Sequence, residues 1–242
     1  NNELTQLAKA VNYLSKTQRE VKQREQAISE EKEQFIRGLS HDIRTPMNAI
    51  IGYTNMAKKY IDNKQKVSEY LNKAQISSEH LLSLISDVLD MSKIENESIT
   101  IEESPENIID SQKEIIDIVK QSAANKHINL KYNFTSILNP NIYMDKLHVN
   151  RIALNILSNA IKYTKEGGTI SYSIEQLEKT NENSASFIFT VQDTGIGMSE
   201  DFISHIFEAF ERESSSISSK IPGSGLGMAI TKNLIDLMKG KI

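Results

Sequence analysis

The chain contains no cysteine, so neither a disulfide nor a thiolate metal site is available to it. A reducing compartment fits that absence. No apolar run approaches the ~20 residues needed to cross a bilayer, and no signal-peptide pattern opens the sequence. The formal net charge of −4 gives no basic footprint, which argues against nucleic acid as a partner. No G-x-x-x-x-G-K-[ST] stretch occurs, so a P-loop nucleotide site is excluded. What remains is 242 residues, 38% hydrophobic and 25% charged, enough for about two domains with parts that bury a core and parts that stay solvated. The chain opens on Asn1 rather than Met, which suggests a piece of something longer.

Residues 1–34 are polar and free of Gly and Pro, with apolar residues every seven positions: Leu7, Leu14, Val21, Ile28 and Phe35. Leu4 and Val11 occupy the second seam position, which Gln18, Glu25 and Lys32 then take over. This predicts a coiled-coil helix, well marked at its start and weak in the middle. A lone helix this polar is marginal without a partner, which favours a parallel dimer. The periodicity continues over residues 35–97. Leu39, Ile43, Met47 and Ile50 form one stripe and His41, Arg44 and Asn48 lie opposite. After a polar break at 62–66, Val67, Tyr70, Leu71, Ala74, Leu81, Leu82, Ile85, Val88 and Leu89 mark a second helix. Two such helices make an antiparallel hairpin, and two hairpins from a dimer make a four-helix bundle. From residue 98 to 242 strands and helices alternate. The expected order is a strand at "SITIEE" ending at Pro105, a helix from Pro105 to Ala124, and strands at Ile128–Phe134 and Asn141–Met144. A helix at Lys146–Tyr163, strands at Thr169–Leu177 and Ser186–Gln192, and a helix from Gly225 to Met238 complete it. This is an α+β sandwich, a mixed sheet with helices on one face.

Of two glycine-rich stretches, "DTGIGM" from Asp193 follows a strand and "PGSGLGMAI" from Pro222 opens a helix. Such loops let backbone N–H groups and a helix N-terminus reach a phosphate. A Rossmann reading is poor, because "GSGLGM" follows a Ser-rich loop instead of a strand. In "LNILSNAIKYT", Asn155 and Asn159 are i, i+4 neighbours, with Lys162 and Tyr163 a turn later. A neutral carboxamide oxygen can hold Mg²⁺ without competing with phosphates for it, and a lysine adds charge compensation.

In order, "SHDIRTP", "NILSNAIKYT", "DTGIG", "FEAFER" and "GSGLGMAI" resemble the H, N, G1, F and G2 boxes of bacterial sensor histidine kinases, over residues 35 to 240. The resemblance implies a dimerisation and phosphoacceptor hairpin followed by an ATP-binding domain of the fold shared with gyrase and the Hsp90 chaperones. It implies ATP and Mg²⁺ as cofactors, with Asn159 on the metal and Asn155 supporting it. Lys162 matches a phosphate contact, Tyr163 a residue beside the nucleotide, and Asp193 the acceptor of the adenine amino group. Gly195 and Gly197 shape the pocket, and Gly223, Gly225, Leu226 and Gly227 belong to the phosphate-side loop. A lid is implied over residues 211–221. Phe207 and Phe210 match the F box, whose usual proline is Ala209 here. The family continues past "MKGKI" with two more strands, so the catalytic domain is expected to lack its final strands.

In the same resemblance His41 is the phosphoacceptor. A neutral imidazole is a competent nucleophile because its pKa is about 6.5, and the adjacent Asp42 suits the general-base role of orienting the ring and stabilising its charge. Thr45, four residues on and on the same face, matches a residue that positions water for dephosphorylating the partner regulator. Pro46, inside a helix, reads as a bend that could gate access to His41. The expected function is that of a homodimeric two-component kinase, phosphorylating His41 and passing the phosphoryl group to a response-regulator receiver domain. Nucleic acid is not expected as a partner. The membrane is expected only through segments upstream, the chain itself being cytoplasmic. The alternatives are an ATP-binding pseudokinase that signals by dimer conformation and another ATPase of the superfamily.

Overall fold

A computed structural model of the chain describes residues 2–96, 99–177, 184–209, 211–213 and 224–242, without side-chain detail over much of the first 35. Two compact units result, Asn1–Leu84 and Ile85–Ile242.

The first unit is a hairpin. Helix α1 (Asn2–Lys59) runs unbroken, because its first 35 residues hold no Gly or Pro and are rich in strong helix formers. It continues through Pro46, which is buried and which denies the Asp42 carbonyl its helical N–H. The chain reverses at Tyr60–Asn63, where the Asn63 N–H donates to the Tyr60 carbonyl at 2.8 Å. The Asn63 side chain then accepts from the Lys66 N–H at 3.1 Å, capping helix α2 (Lys64–Glu95). Tyr70 stacks with Tyr53 and Tyr60 at centroid distances of 6.4 and 6.0 Å, and the Lys66 ammonium lies 4.2 Å from the Tyr60 ring.

The apolar stripes are only partly covered. Leu39, Ile43 and Ile50 are half-buried, whereas Met47 is exposed, as are Leu71, Leu82 and Leu89 on α2. Two helices share one mutual face, and the flanking apolar residues need further neighbours. Of the heptad positions, Gln18 and Val21 are exposed; the side chains of the others lie outside the described residues.

The second unit takes in the last turns of α2. Residues 99–103 form no strand, and the first one, β1 (Ser104–Asn107), starts later than the sequence suggested. Helix α3 (Ile108–Asn125) begins after Asn107, not at Pro105. The Asn107 carboxamide oxygen accepts from both the Ile109 and Asp110 N–H groups, and this cap outcompetes a proline start. Pro105 instead sits opposite Tyr143 in a two-stranded antiparallel ribbon of β1 with β3 (Asn141–Met144), where edge positions tolerate a missing donor.

The main sheet has the order β2-β4-β5, from β2 (Asn129–Ser136), β4 (Thr169–Gln176) and β5 (Phe187–Asp193). Strand β2 is parallel to β4 and β4 antiparallel to β5, so the sheet is mixed. Alternation on β4 buries Ile170, Tyr172 and Ile174 and turns Ser171 and Ser173 to the other face. The buried face carries α3 and α4 (Lys146–Tyr163), which contribute Ile115, Ile116, Val119, Leu157 and Ile161 to one core. The short α5 (Glu200–His205) was not anticipated. Helix α6 (Gly227–Leu237) builds a second cluster, Leu226, Ile230 and Leu234, on which Val88, Ile94 and Ile152 pack.

Inside the first core runs a polar chain. Tyr172 donates to Gln112 Oε1 at 2.8 Å, and Gln112 and Ser111 both donate to Asn150 Oδ1, at 2.9 and 2.6 Å. Each polar group of this chain thereby has a partner. Burial alone pushes the Tyr172 phenol well above its ordinary range.

Candidate active site

On the hairpin, His41 Nδ1 lies 3.2 Å from Asp42 Oδ1, with the imidazole 78% exposed. If Nδ1 carries the proton it donates to Asp42, and Nε2 is left with its lone pair toward solvent. The Thr45 hydroxyl donates to the His41 carbonyl at 3.1 Å. It is thus bonded to the backbone one turn below the imidazole, and a χ1 rotation would free it.

In the second unit, helix α4 supplies the carboxamides. Its N-terminus is fixed by Asp145, whose carboxylate accepts from the Glu102 N–H at 2.9 Å, the His148 N–H at 3.0 Å and His148 Nδ1 at 2.6 Å. Burial pushes the Asp145 carboxyl up, but these three donors outweigh it and hold the group below the ordinary range. Along α4, Arg151, Asn155 and Asn159 recur at four-residue spacing, with Lys162 and Tyr163 closing the helix. Asn159 is half-buried and its side chain makes no hydrogen bond among the described residues, so its carboxamide is open to a ligand. Asn155 is not: it donates to Thr231 Oγ1 on α6 at 2.7 Å. A Cβ on Gly227 would lie 2.3 Å from Asn155 Oδ1, so only glycine lets α6 start this close to α4. Asn155 therefore joins the helix of the N box to that of the G2 box. The Lys162 ammonium lies 4.8 Å from the Tyr163 ring.

The strand β5 ends at Asp193, whose Oδ1 accepts from the Gly195 N–H at 2.7 Å in a tight local turn. An added Cβ on Gly195 would lie 2.5 Å from that oxygen and 2.8 Å from the Tyr163 carbonyl, which requires glycine. The second oxygen of the exposed Asp193 stays available as an acceptor. Gly197 and Gly225 have φ of +69° and +71°. Thus the structure brings Tyr163 and the Asp193–Gly197 turn together, and Asn155 and Gly227 together. Phe207 is half-buried, and Ala209 packs beside Leu226, the fully buried anchor of the second cluster. Phe210, Gly223 and most of the lid at 211–221 lie outside the described residues.

Some participants were not singled out from sequence. Ser224 donates to Asp87 Oδ2 at 2.9 Å and accepts from the Leu226 N–H at 3.2 Å. Arg151 pairs with Asp87 and with Asp90. The glycine loop and α4 are thereby tied to the last turns of α2. No i, i+4 signal could reveal these, because the partners are more than sixty residues apart. The remaining histidines behave as ordinary pairs where partners are seen: His127 with Glu166 at 2.9 Å and His205 with Glu208 at 2.8 Å. The carboxylate of Glu208 raises the His205 pKa. Among the described residues no three His, Cys, Asp or Glu side chains cluster as a metal site, and no helix is long and apolar enough to cross a membrane.

Residues 31–97 match the family described as His Kinase A (phospho-acceptor) domain, and residues 144–242 that of the histidine kinase-, DNA gyrase B-, and HSP90-like ATPase. Sensor protein GacS of Pseudomonas syringae pv. syringae is 35% identical over 214 residues, 87% of this chain and 23% of GacS. Autoinducer 2 sensor kinase/phosphatase LuxQ of Vibrio harveyi is 32% identical over 241 residues, 99% of this chain and 27% of LuxQ. The chain thus spans about a quarter of the length of these relatives. Among solved structures, full-length ShkA in complex with AMPPNP aligns with a TM-score of 0.58 at 29% identity, covering 83% of this chain and 40% of ShkA. With the phosphoacceptor and ATPase domains matched in this order along one chain, and the exposed His41 in the first of them, this chain belongs to the sensor histidine kinases.

Proposed function

We propose that the chain is the catalytic part of a two-component kinase that transfers the γ-phosphoryl group of ATP to His41 and then to an aspartate of a response-regulator receiver domain. The observation that carries this reading is the joining of the end of α4 to the Asp193–Gly197 turn, with Asn159 left open beside it. ShkA was solved with AMPPNP, an ATP analogue, and that ligand fits the same chemistry here. Phosphoryl transfer demands positioning and charge neutralisation more than covalent assistance. Asp193 would accept from the adenine amino group, and Lys162 and the N-terminus of α6 would face the phosphates. Mg²⁺ would neutralise phosphate charge, and the Asn159 carboxamide oxygen is the protein ligand that suits it, the phosphates supplying the others.

At the acceptor, the Nε2 lone pair of His41 forms the P–N bond as the bond from the γ-phosphorus to the bridging oxygen breaks and ADP leaves. Asp42 stabilises the positive charge that develops on the ring and takes the Nδ1 proton. Thr45 would orient a water when the regulator is dephosphorylated, in keeping with the kinase/phosphatase name of LuxQ. The exposed apolar residues Leu71, Leu82 and Leu89 support a homodimer through the hairpin. ATP as substrate implies the cytoplasm.

Incubation with γ-labelled ATP and Mg²⁺ is expected to give acid-labile, base-stable label that disappears in His41→Gln, while Thr45→Ala keeps the label and loses regulator dephosphorylation. Label retained by His41→Gln would overturn the assignment. ATP binding without any label would leave the pseudokinase that signals by dimer conformation.

A further inference from the structure

The last four carbonyls of an α-helix have no helical donor, and at the end of α4 each partner can be named. The Ala160 carbonyl accepts from the Thr164 N–H at 2.9 Å, and the Tyr163 carbonyl from the Ile196 N–H at 3.3 Å. The carbonyls of Ile161 and Lys162, and that of Thr164 beyond the helix, all accept from one group, the ammonium of Lys126, at 2.8, 2.9 and 2.8 Å. An ammonium has three protons, and here each has an acceptor. Lys126 is itself the C-cap residue of α3, and its carbonyl accepts from the Gly167 N–H at 3.3 Å. One residue therefore ties together the end of α3, the end of α4 and the turn into β4.

The last turn that Lys126 holds is the one carrying Lys162 and Tyr163. The Tyr163 carbonyl in turn supports the turn after Asp193, through the Ile196 N–H and the close approach of Gly195. A cation at the negative end of a helix is favoured by the helix dipole and by charge-assisted hydrogen bonds. Without it, three carbonyls must be satisfied by water or by a shift of the turn, and such a shift moves the ledge on which Gly195 and Ile196 rest.

We infer that Lys126, which lies outside every motif and reaches the N-box helix only through its backbone carbonyls, is a positioning residue for the nucleotide pocket: it fixes the end of α4 and thereby the Asp193–Gly197 turn. The inference rests on the nucleotide-binding reading of that pocket. Two readouts on the whole chain test it, one with nucleotide and one without. By calorimetry with Mg²⁺-ATP, Lys126→Met is expected to bind about tenfold more weakly, the scale of a lost supporting hydrogen-bond shell, with kcat for autophosphorylation retained at saturating ATP. Lys126→Arg, which keeps the charge and donors, is expected to recover most of the affinity. In nucleotide-free protein, amide exchange at Ile196 is expected to accelerate in Lys126→Met. Ser111→Ala, which breaks a buried bond at the other end of α4, is the control for general loss of stability and is expected to alter neither readout. If Lys126→Met does not fold, Lys126→Gln is the milder neutral variant and must shift both readouts the same way. A Lys126 variant that melts earlier but keeps wild-type ATP affinity and Ile196 exchange would overturn the inference and leave a plain helix cap. Wild-type protein that binds no ATP would overturn the nucleotide reading and the inference with it, by a different result.

Discussion

At position 227 a methyl group has no room, because its carbon would fall 2.3 Å from Asn155 Oδ1. Asn155 cannot step aside without breaking its 2.7 Å bond to Thr231. Gly227→Ala is therefore expected to cost about 1–3 kcal/mol, the usual range for overpacking, even though alanine is the better helix former. Chemical denaturation of the single and double variants checks this: adding Asn155→Ala to Gly227→Ala should recover part of the loss, and strict additivity would remove the proposed contact. The two asparagines of the N box likewise differ in what surrounds them. Their i, i+4 spacing announced a shared face, but not that one is consumed by α6 while the other stays open.

Helix α4 is the element that organises the nucleotide side, and its two ends are held by different chemistry. Asp145 caps the N-terminus with a carboxylate that three donors keep below its ordinary pKa despite burial. A depressed folded-state pKa means that its stabilisation is present in full above the unfolded value of about 3.9 and is lost as pH falls through the folded value. Asp145→Ala is expected to lose about 1–2 kcal/mol at neutral pH, the scale of a lost helix cap. That gap between wild type and variant should narrow below about pH 4. Melting curves across pH measure it, and a gap that widens in acid would contradict the assignment. The bounds of α4 match the helix expected at Lys146–Tyr163, where Gly167-Gly168 follows its end; the Asp145 cap that sets its start is a finding of the structure. The start of α3 does not match. Pro105 favours a first helical turn, but the capping carboxamide of Asn107 and the ribbon with β3 set the start three residues later.

For the molecule as a whole, the hairpin leaves a row of apolar side chains in water, with Leu82 66% exposed. A second copy would cover them, and Leu82→Asp is expected to shift the protein from dimer to monomer in sedimentation equilibrium at micromolar concentration. A variant that stays dimeric would place the interface elsewhere. The division into units also depends on long-range contacts. Val88 and Ile94 pack on the Leu226 cluster while Asp87 and Asp90 hold Arg151 and Ser224. For that reason the last turns of α2 belong to the second unit, although the helical periodicity runs through them without a mark.

Local order was written into the residues directly: the Gly- and Pro-free start of α1 (although the bend expected at Pro46 does not break the helix), the span of α4, the strand at β4, and the glycine turn after Asp193. Each depends on interactions within a few positions along the chain, where spacing and propensity carry the information. The partners of Asn155, the clamp from Lys126 onto three carbonyls, and the bonds of Asp87 depend on packing that joins residues 35 to 137 positions apart. No period or motif encodes such pairings; they arise when α3, α4 and α6 bury their apolar faces and the polar groups left between them must find one another.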